Sequence, residues 1–193
     1  MRIPGYFFLL SAFFLTCLAG GTPTFAAGQV GDRPPPQSPA AKSPYRIIDW
    51  NDLMPKGWNP MKGFEKFDFD SMKDSDPRAQ EALKRLRKAW SKAPVEPSMN
   101  GARVSIPGFI VPLEQVRHQI TEFLLIPYYG GCIHVPAPPT NQIIHVFPVK
   151  PLTGRKSMDS VMISGVLETI PSETRMGNAG YRMKAEVIVP YRN

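Results

Sequence analysis

The apolar positions concentrate in the second half of the chain, where they form separate short segments. From residue 100 onward, five segments rich in Val, Ile and Phe are divided by polar, Pro-containing or Gly-containing stretches. Runs of this length and composition, bounded by turn residues, are typical of β-strands. The pattern therefore predicts five strands, at Arg103 to Leu113, Ile120 to Ile126, Gln142 to Val149, Ser160 to Thr169 and Tyr181 to Val189.

Two glycines indicate how these strands are shaped. Gly108 interrupts the first predicted strand and Gly165 interrupts the fourth. Glycine inside a strand marks a bulge or a sharp bend, which a closed barrel requires. Five strands with a bent first strand predict a mainly β fold, a small OB-like five-stranded barrel over residues 100–193, with a β-sandwich as the alternative.

The region before the strands, residues 45–99, is expected to be an aromatic-rich extension with one amphipathic helix over 77–93. Asp76 can cap this helix and Pro77 suits its first turn. The opposite face carries Lys and Arg, typical of a solvated helix face or of contact with anionic lipid or an acidic partner. The apolar stripe consists of Ala79, Ala82, Leu83, Leu86, Trp90 and Ala93.

The first 26 residues have the pattern of an export signal. Arg2 precedes an apolar run from Tyr6 to Leu18, and Thr24 and Ala26 form a small-residue pair that a signal peptidase accepts. We expect cleavage after Ala26 and a periplasmic mature protein with no transmembrane domain. An uncleaved membrane anchor and a lipoprotein attached through Cys17 are the alternatives. Residues 27–44 are rich in Pro and predict a disordered tether.

Composition excludes several classes of protein. The chain has 193 residues with 22 Pro, too many for an all-helical bundle. The net charge is +7, but Lys and Arg never occur in runs longer than two, and no ladder of aromatic and basic residues follows the strands, so we expect no nucleic-acid partner. Phosphate-binding loops and hydrolase motifs are absent from the sequence, which favours a binding protein over an enzyme.

The one stretch with clear chemical potential contains Cys132 and His134. Residues two apart in an extended chain point the same way, so both side chains would lie on one face. Thiolate and imidazole are good ligands for zinc or copper, and His145 in the next predicted strand is the best third ligand. Two alternatives remain open, a thiolate nucleophile with His134 as base, and a buried cysteine that acts as a small apolar residue.

The residues after this pair are expected to form a rigid, partner-binding loop. Proline fixes its own φ angle and lacks an N–H group, so several prolines stiffen the chain. The predicted partner-binding residues are Pro136, Pro138, Pro139, Asn141 and Gln142.

This arrangement resembles a family of exported bacterial proteins known only as a domain of unknown function. The resemblance covers residues 45–190, and its most specific part is the Cys-Ile-His-x-Pro-x-Pro-Pro-x-Asn-Gln block at 132–142. Other matching elements are Trp50-x-x-Leu53-x-Pro55, Val104-x-Ile106-x-Gly108-Phe109-x-Val111-Pro112-Leu113, Glu122-Phe123-Leu124-Leu125-x-Pro127-Tyr128 and Val161-x-Ile163-x-Gly165. The resemblance implies a periplasmic protein, sometimes encoded beside ABC-transporter components and zinc-binding proteins, with no settled catalytic activity.

The combined hypothesis is a non-enzymatic periplasmic accessory protein. It would bind zinc, or a transporter or metal-binding partner, near Cys132 and His134. A thiol-dependent enzyme or redox protein using Cys132, and a structural envelope protein, are the alternatives.

Overall fold

The computed structural model describes residues 43–65, 76–131 and 137–192. The predicted export signal, the tether to residue 42, and Cys132, His134 and Pro136 lie outside these ranges. The elements are β1 (Arg46–Ile47), α1 (Pro77–Trp90), β2 (Arg103–Val116), β3 (Gln119–Ile126), β4 (Ile144–Pro148), β5 (Ser160–Glu168), β6 (Ser172–Thr174), β7 (Gly177–Ala179) and β8 (Tyr181–Pro190).

Five of these strands close into a barrel. The sheet order is β1-β2-β3-β4-β8-β5, and β5 pairs back onto β2. Within the barrel, β4 and β8 pair in parallel, whereas the other neighbouring strands are antiparallel. This closed Greek-key arrangement confirms the predicted OB-like barrel and excludes the β-sandwich.

The two strand glycines lie where the barrel needs close backbone approach. β2 pairs with β5 up to Phe109 and with β3 from Phe109 onward, so Gly108 immediately precedes the change of partner. A Cβ atom at Gly108 would lie 2.7 Å from Leu125 Cγ and 2.8 Å from the Ile126 carbonyl oxygen. A Cβ atom at Gly165 would collide with the Lys184 carbonyl oxygen, beside a register shift between β5 and β8. Both glycines therefore permit the bending that the sequence pattern indicates.

The extension packs onto the barrel core through apolar side chains. Ile48, Leu53 and Met99 belong to the same buried cluster as the inward-facing residues of the barrel. Trp50 Nε1 donates a hydrogen bond of 2.8 Å to the Pro107 carbonyl oxygen, beside the bend in β2. These contacts attach residues before the helix directly to the first barrel strand.

The helix α1 begins where its cap predicts and ends earlier than expected. The Asp76 side chain accepts a hydrogen bond from the Arg78 N–H, and Pro77 occupies the first turn. Ala82 and Leu86 are buried. The helix ends at Trp90 rather than at residue 93, and the chain then enters Pro94. No helix in the described ranges has both the length and the apolar character needed to span a membrane.

Two parts of the chain differ from the predicted strands. The third barrel strand begins at Ile144 because Thr140–Gln142 form a 3-10 turn. A short hairpin, β6–β7, connects β5 to β8, where no regular structure is predicted from the sequence. Both differences arise in segments with polar residues or Gly, which carry little periodic signal.

Candidate functional site

The predicted site residues Cys132 and His134 lie outside the described ranges, but the chain on each side of them is described. Gly130 and Gly131 precede this segment, and residues 137–142 follow it. The contacts of these flanking residues define how the segment is attached to the barrel.

The residues that follow the Cys132–Pro136 segment in the chain are anchored by their side chains. The Thr140 hydroxyl lies 3.3 Å from each of the Trp90 and Ala93 carbonyl oxygens at the end of α1. Asn141 Nδ2 donates a hydrogen bond of 2.8 Å to the Pro94 carbonyl oxygen. We call residues 137–142, which follow the Cys132–Pro136 segment, its stem. The stem is thus tied by hydrogen bonds to the end of α1.

Gln142 ties the same stem to the extension. Its Nε2 donates a hydrogen bond of 2.6 Å to the Trp50 carbonyl oxygen. Pro138 and Pro139 are buried beside it, as are Asn141 and Gln142. The structure therefore buries these four predicted partner-binding residues, and the hydrogen bonds of Asn141 and Gln142 hold the stem in place.

The turn before the Cys132–Pro136 segment contacts Met158, whose backbone conformation is unusual. Gly130 has a φ of 81°, and its N–H group lies 3.4 Å from Met158 Sδ. Met158 itself has a φ of 67°, which an L-residue with a long side chain rarely adopts. Phe109 and Tyr129 meet edge to face, with ring centroids 5.9 Å apart. Both ends of the 132–136 segment therefore join residues held by specific contacts.

The hydroxyl of Tyr181 joins two segments that lie before the barrel strands, around Leu53 and around Glu96. This fully buried tyrosine donates a hydrogen bond of 2.7 Å to the Leu53 carbonyl oxygen and accepts one of 2.6 Å from the Glu96 N–H. Burial raises the pKa of Tyr181 to about 12, against the lowering effect of the Glu96 N–H. Its phenol therefore stays neutral and joins the extension to the segment after α1.

His145, the predicted third ligand, lies in a hydrogen-bonded row of side chains. Its Nε2 is 2.6 Å from Glu122 Oε1, and its Nδ1 is 2.8 Å from Ser172 Oγ. An ionised carboxylate only accepts hydrogen bonds, so in a neutral ring Nε2 carries the proton and Nδ1 accepts from the serine hydroxyl. Both ring nitrogens are thus engaged within the protein, and no group of three or more His, Cys, Asp or Glu side chains suited to a metal occurs in the described ranges.

Sequence reasoning missed Glu122 and Ser172 as partners of His145. Glu122 and His145 occupy neighbouring antiparallel strands, where Phe123 pairs with Val146 and Leu124 with His145. Ser172 reaches the ring from the β6–β7 hairpin, which the sequence does not predict. The strand pairing could have suggested Glu122 once the barrel order was known, whereas nothing in the sequence indicates Ser172.

A groove opens between the end of α1, the stem and the β6–β7 hairpin. One cleft of about 520 Å³ is lined by Lys92, Thr140, Ser172 and Glu173, among others. A second cleft of about 280 Å³ is lined by Trp90 and Pro138 and shares Ser91, Thr140 and Asn178 with the first. The stem of the Cys132–Pro136 segment therefore borders a surface depression of the size that a small ligand or a peptide side chain occupies.

Comparisons with known proteins give one consistent likeness. A family described as "Protein of unknown function (DUF3299)" matches residues 50–190. Among solved structures, the crystal structure at 2.45 Å resolution of a DUF3299 family protein from Pseudomonas aeruginosa PAO1 is 32% identical, with a TM-score of 0.61. That match covers 77% of this chain and 97% of the other. No curated protein matches this chain.

Proposed function

This chain belongs to the DUF3299 family of proteins of unknown function, and we propose that it is an exported, non-enzymatic accessory protein that binds zinc through Cys132 and His134. The apolar run and the Thr24-x-Ala26 pair support export to the periplasm. In a cleaved chain Cys132 is the only thiol, because the other cysteine, Cys17, lies within the signal.

The observation that carries this proposal is the anchoring on both sides of the Cys132–Pro136 segment. On one side, the side chains of Thr140 and Asn141 bond to carbonyl groups at the end of α1, and Gln142 bonds to a carbonyl group of the extension. Met158 contacts the Gly130 N–H on the other side. Two fixed ends and a proline-rich sequence lower the entropy that ordering two ligands costs, which favours metal binding.

The donor chemistry fits zinc. A cysteine thiolate and a histidine imidazole two residues apart are common zinc ligands, and two protein ligands leave positions for water or for a partner's side chain. The proposal leaves His145 out of the ligand set because Glu122 and Ser172 already engage both of its nitrogens. An incomplete ligand set of this kind suits transfer of the metal to another protein better than permanent structural binding.

The partner that we propose is an ABC-transporter component or a periplasmic metal-binding protein. The groove lined by Trp90, Pro138 and Asn178 supports this idea because it borders the stem of the proposed site. Such a partner would supply the remaining ligands when it docks there.

Calorimetry with zinc tests the proposal directly. In a Cys17→Ser background, we expect saturable zinc binding by the parent chain and a loss of at least tenfold in Cys132→Ser and in His134→Ala. His118→Ala is the matched control, since His118 is an exposed histidine in the β2–β3 turn, and it should bind like the parent. Equal binding by all variants, or binding by none, contradicts the proposal.

The rate of thiol modification separates the remaining alternatives. Zinc that binds Cys132 should protect its thiol from a reagent such as a maleimide. Fast reaction at neutral pH without protection by zinc would instead indicate a nucleophilic thiolate. Reaction only after unfolding would indicate a buried, inert cysteine.

A further inference from the structure

The outward surface of β4, β5 and β8 carries a second set of polar side chains. In the parallel pairing of β4 with β8, His145 lies beside Arg182 and Phe147 beside Lys184. In the antiparallel pairing of β5 with β8, Glu168 is the partner of Arg182. A cleft of about 580 Å³ opens at this place, lined by Phe147, Pro148, Val149, Glu168, Arg182 and Lys184.

Among the described residues, Arg182 packs on an aromatic ring while its Nε has no hydrogen-bonding partner. Its guanidinium carbon lies 5.6 Å from the centroid of the Phe147 ring, within range of a cation–π contact. Its Nε is buried and makes no hydrogen bond, and the side chain forms no ion pair within the described ranges. A half-buried arginine normally pairs with an acceptor, because desolvated N–H groups cost free energy when they are left unpaired.

The neighbouring residues hold the guanidinium ready for a ligand. The Phe147 ring packs on the His145 ring at a centroid distance of 4.4 Å, and His145 is fixed by Glu122 and Ser172. Arg182 therefore packs on Phe147, and Phe147 packs on His145, whose ring is hydrogen-bonded to Glu122 and Ser172. Such preorganisation reduces the cost of binding.

The charges around the cleft favour an anion. Lys184 is exposed at its rim and adds a second positive charge beside Arg182. Glu168 is the acidic residue that lines it, and its backbone pairs with that of Arg182, but the ion pairs of the described residues do not include one between these two side chains. The lining thus carries two positive charges and one negative charge, and the Arg182 guanidinium makes no ion pair with another described residue.

We propose that this cleft is a binding site for a carboxylate group, with Arg182 as the residue that recognises it. The planar guanidinium matches the two oxygens of a carboxylate, Lys184 adds a second positive charge, and Phe147 packs against the apolar part of the ligand. Carboxylates reach such a site from a small dicarboxylic acid or from an acidic peptide. This inference does not depend on metal binding at Cys132 and His134.

Titrations observed by NMR test the proposal on the full chain. Succinate is the probe for a small acid, a hexaglutamate peptide is the probe for an acidic segment, and inorganic phosphate is the comparison anion. We expect saturable shifts of the Arg182 Nε–H and Phe147 resonances with succinate or the peptide, and weaker shifts with phosphate. The tighter of the two carboxylate probes identifies the source.

Variants then assign the effect to this cleft. Arg182→Gln should weaken binding about tenfold, and Arg182→Lys about fivefold because it keeps the charge but loses the planar fork. Glu168→Gln should tighten binding about threefold by removing a repelling charge. Arg155→Gln, which changes a half-buried arginine in a different cleft, should bind like the parent.

Three results would overturn the proposal. The first is the absence of saturable shifts with both carboxylate probes. The second is tighter binding of phosphate than of either carboxylate. The third is an unchanged affinity in Arg182→Gln, provided that its NMR spectrum shows a folded barrel.

Discussion

The two faces of the same strands differ in how their side chains are held. On the inner face of β4 and β8, Ile144, Val146 and Met183 are fully buried among other apolar residues. On the outer face of the same strands, His145 and Arg182 are neighbours, and His145 is fixed by hydrogen bonds to Glu122 and Ser172. The inner face is held by non-directional packing, whereas the outer face depends on particular atoms at particular distances.

This difference separates stability from chemistry in the barrel. Apolar packing tolerates exchange of one apolar residue for another of similar volume, so many sequences can fill the interior. Each hydrogen bond that links Glu122, His145 and Ser172 is lost when a single atom is removed. We therefore expect inner-face substitutions to change the free energy of unfolding, and outer-face substitutions to change local order and binding.

The largest expected effect comes from one pair of matched truncations. Phe123 in β3 is fully buried in the core, whereas Phe147 in β4 is half-buried on the outer face. Phe123→Ala should lower the free energy of unfolding by about 3–5 kcal/mol, since it leaves a large cavity. Phe147→Ala should lower it by clearly less, about 1–2 kcal/mol, because folding removes less apolar area from water at Phe147 than at Phe123. Urea unfolding of both variants makes the measurement, and equal losses would contradict the distinction between the faces.

Much of the inner face is predictable from the sequence. Val, Ile and Phe in short runs bounded by turn residues predict the five barrel strands, and Gly108 and Gly165 predict the places where the barrel bends. Burial selects these residue types wherever the chain must fill a core, so the signal is repeated along each strand. The first strand nevertheless continues to Val116, because β-pairing with β3 extends through polar residues such as Glu114 and Gln115.

The outer face is predictable only in part. His145 attracts notice as an isolated histidine, but its partners come from β3 and from the β6–β7 hairpin, 23 and 27 residues away in the chain. The surroundings of Arg182, which makes no ion pair within the described part of the chain, depend on how β5, β4 and β8 pair, and no local sequence pattern records that pairing. Hydrogen bonds between distant segments follow from the topology of the strands, and patterns in a single sequence do not contain that topology.

An intermediate effect is expected at Tyr181, whose ring lies in the core while its hydroxyl bonds to the extension. Tyr181→Phe removes the hydroxyl and leaves the Leu53 carbonyl and the Glu96 N–H without this partner, which should cost about 2–3 kcal/mol. Guanidinium unfolding at pH 7 measures this loss. Ser160→Ala, a half-buried hydroxyl at the start of β5, is the control and should change stability by less than about 0.5 kcal/mol.

Unfolding at alkaline pH gives a second measurement of what the Tyr181 hydroxyl contributes to the free energy of unfolding. Burial raises the pKa of Tyr181 to about 12 in the folded protein, from its ordinary value of 10.0. The neutral phenol is therefore favoured by folding, so its contribution is fully present below pH 10 and is lost as pH rises from about 10 to about 12. The parent chain should lose on the order of 2 kcal/mol more than Tyr181→Phe between pH 9 and pH 12. Parallel pH profiles of the two proteins would show that the tyrosine is not protected by the fold.

The smallest expected effect concerns the outer-face hydrogen bond between Ser172 and His145. Ser172→Ala removes the 2.8 Å contact to His145 Nδ1 but leaves the bond from His145 to Glu122 in place. Because Ser172 belongs to the β6–β7 hairpin, the loss should act on the attachment of this hairpin rather than on the barrel. We expect a cost of about 1 kcal/mol or less in the free energy of unfolding, but faster amide hydrogen exchange at residues 172–179. Exchange in β2 and β5 should stay unchanged, and Ser91→Ala, at the other side of the groove, should leave the hairpin amides as they are in the parent. If exchange rises equally in the hairpin and in the barrel strands, the outer-face contact contributes to global stability like the core, and the two faces do not differ in the way that their contacts indicate.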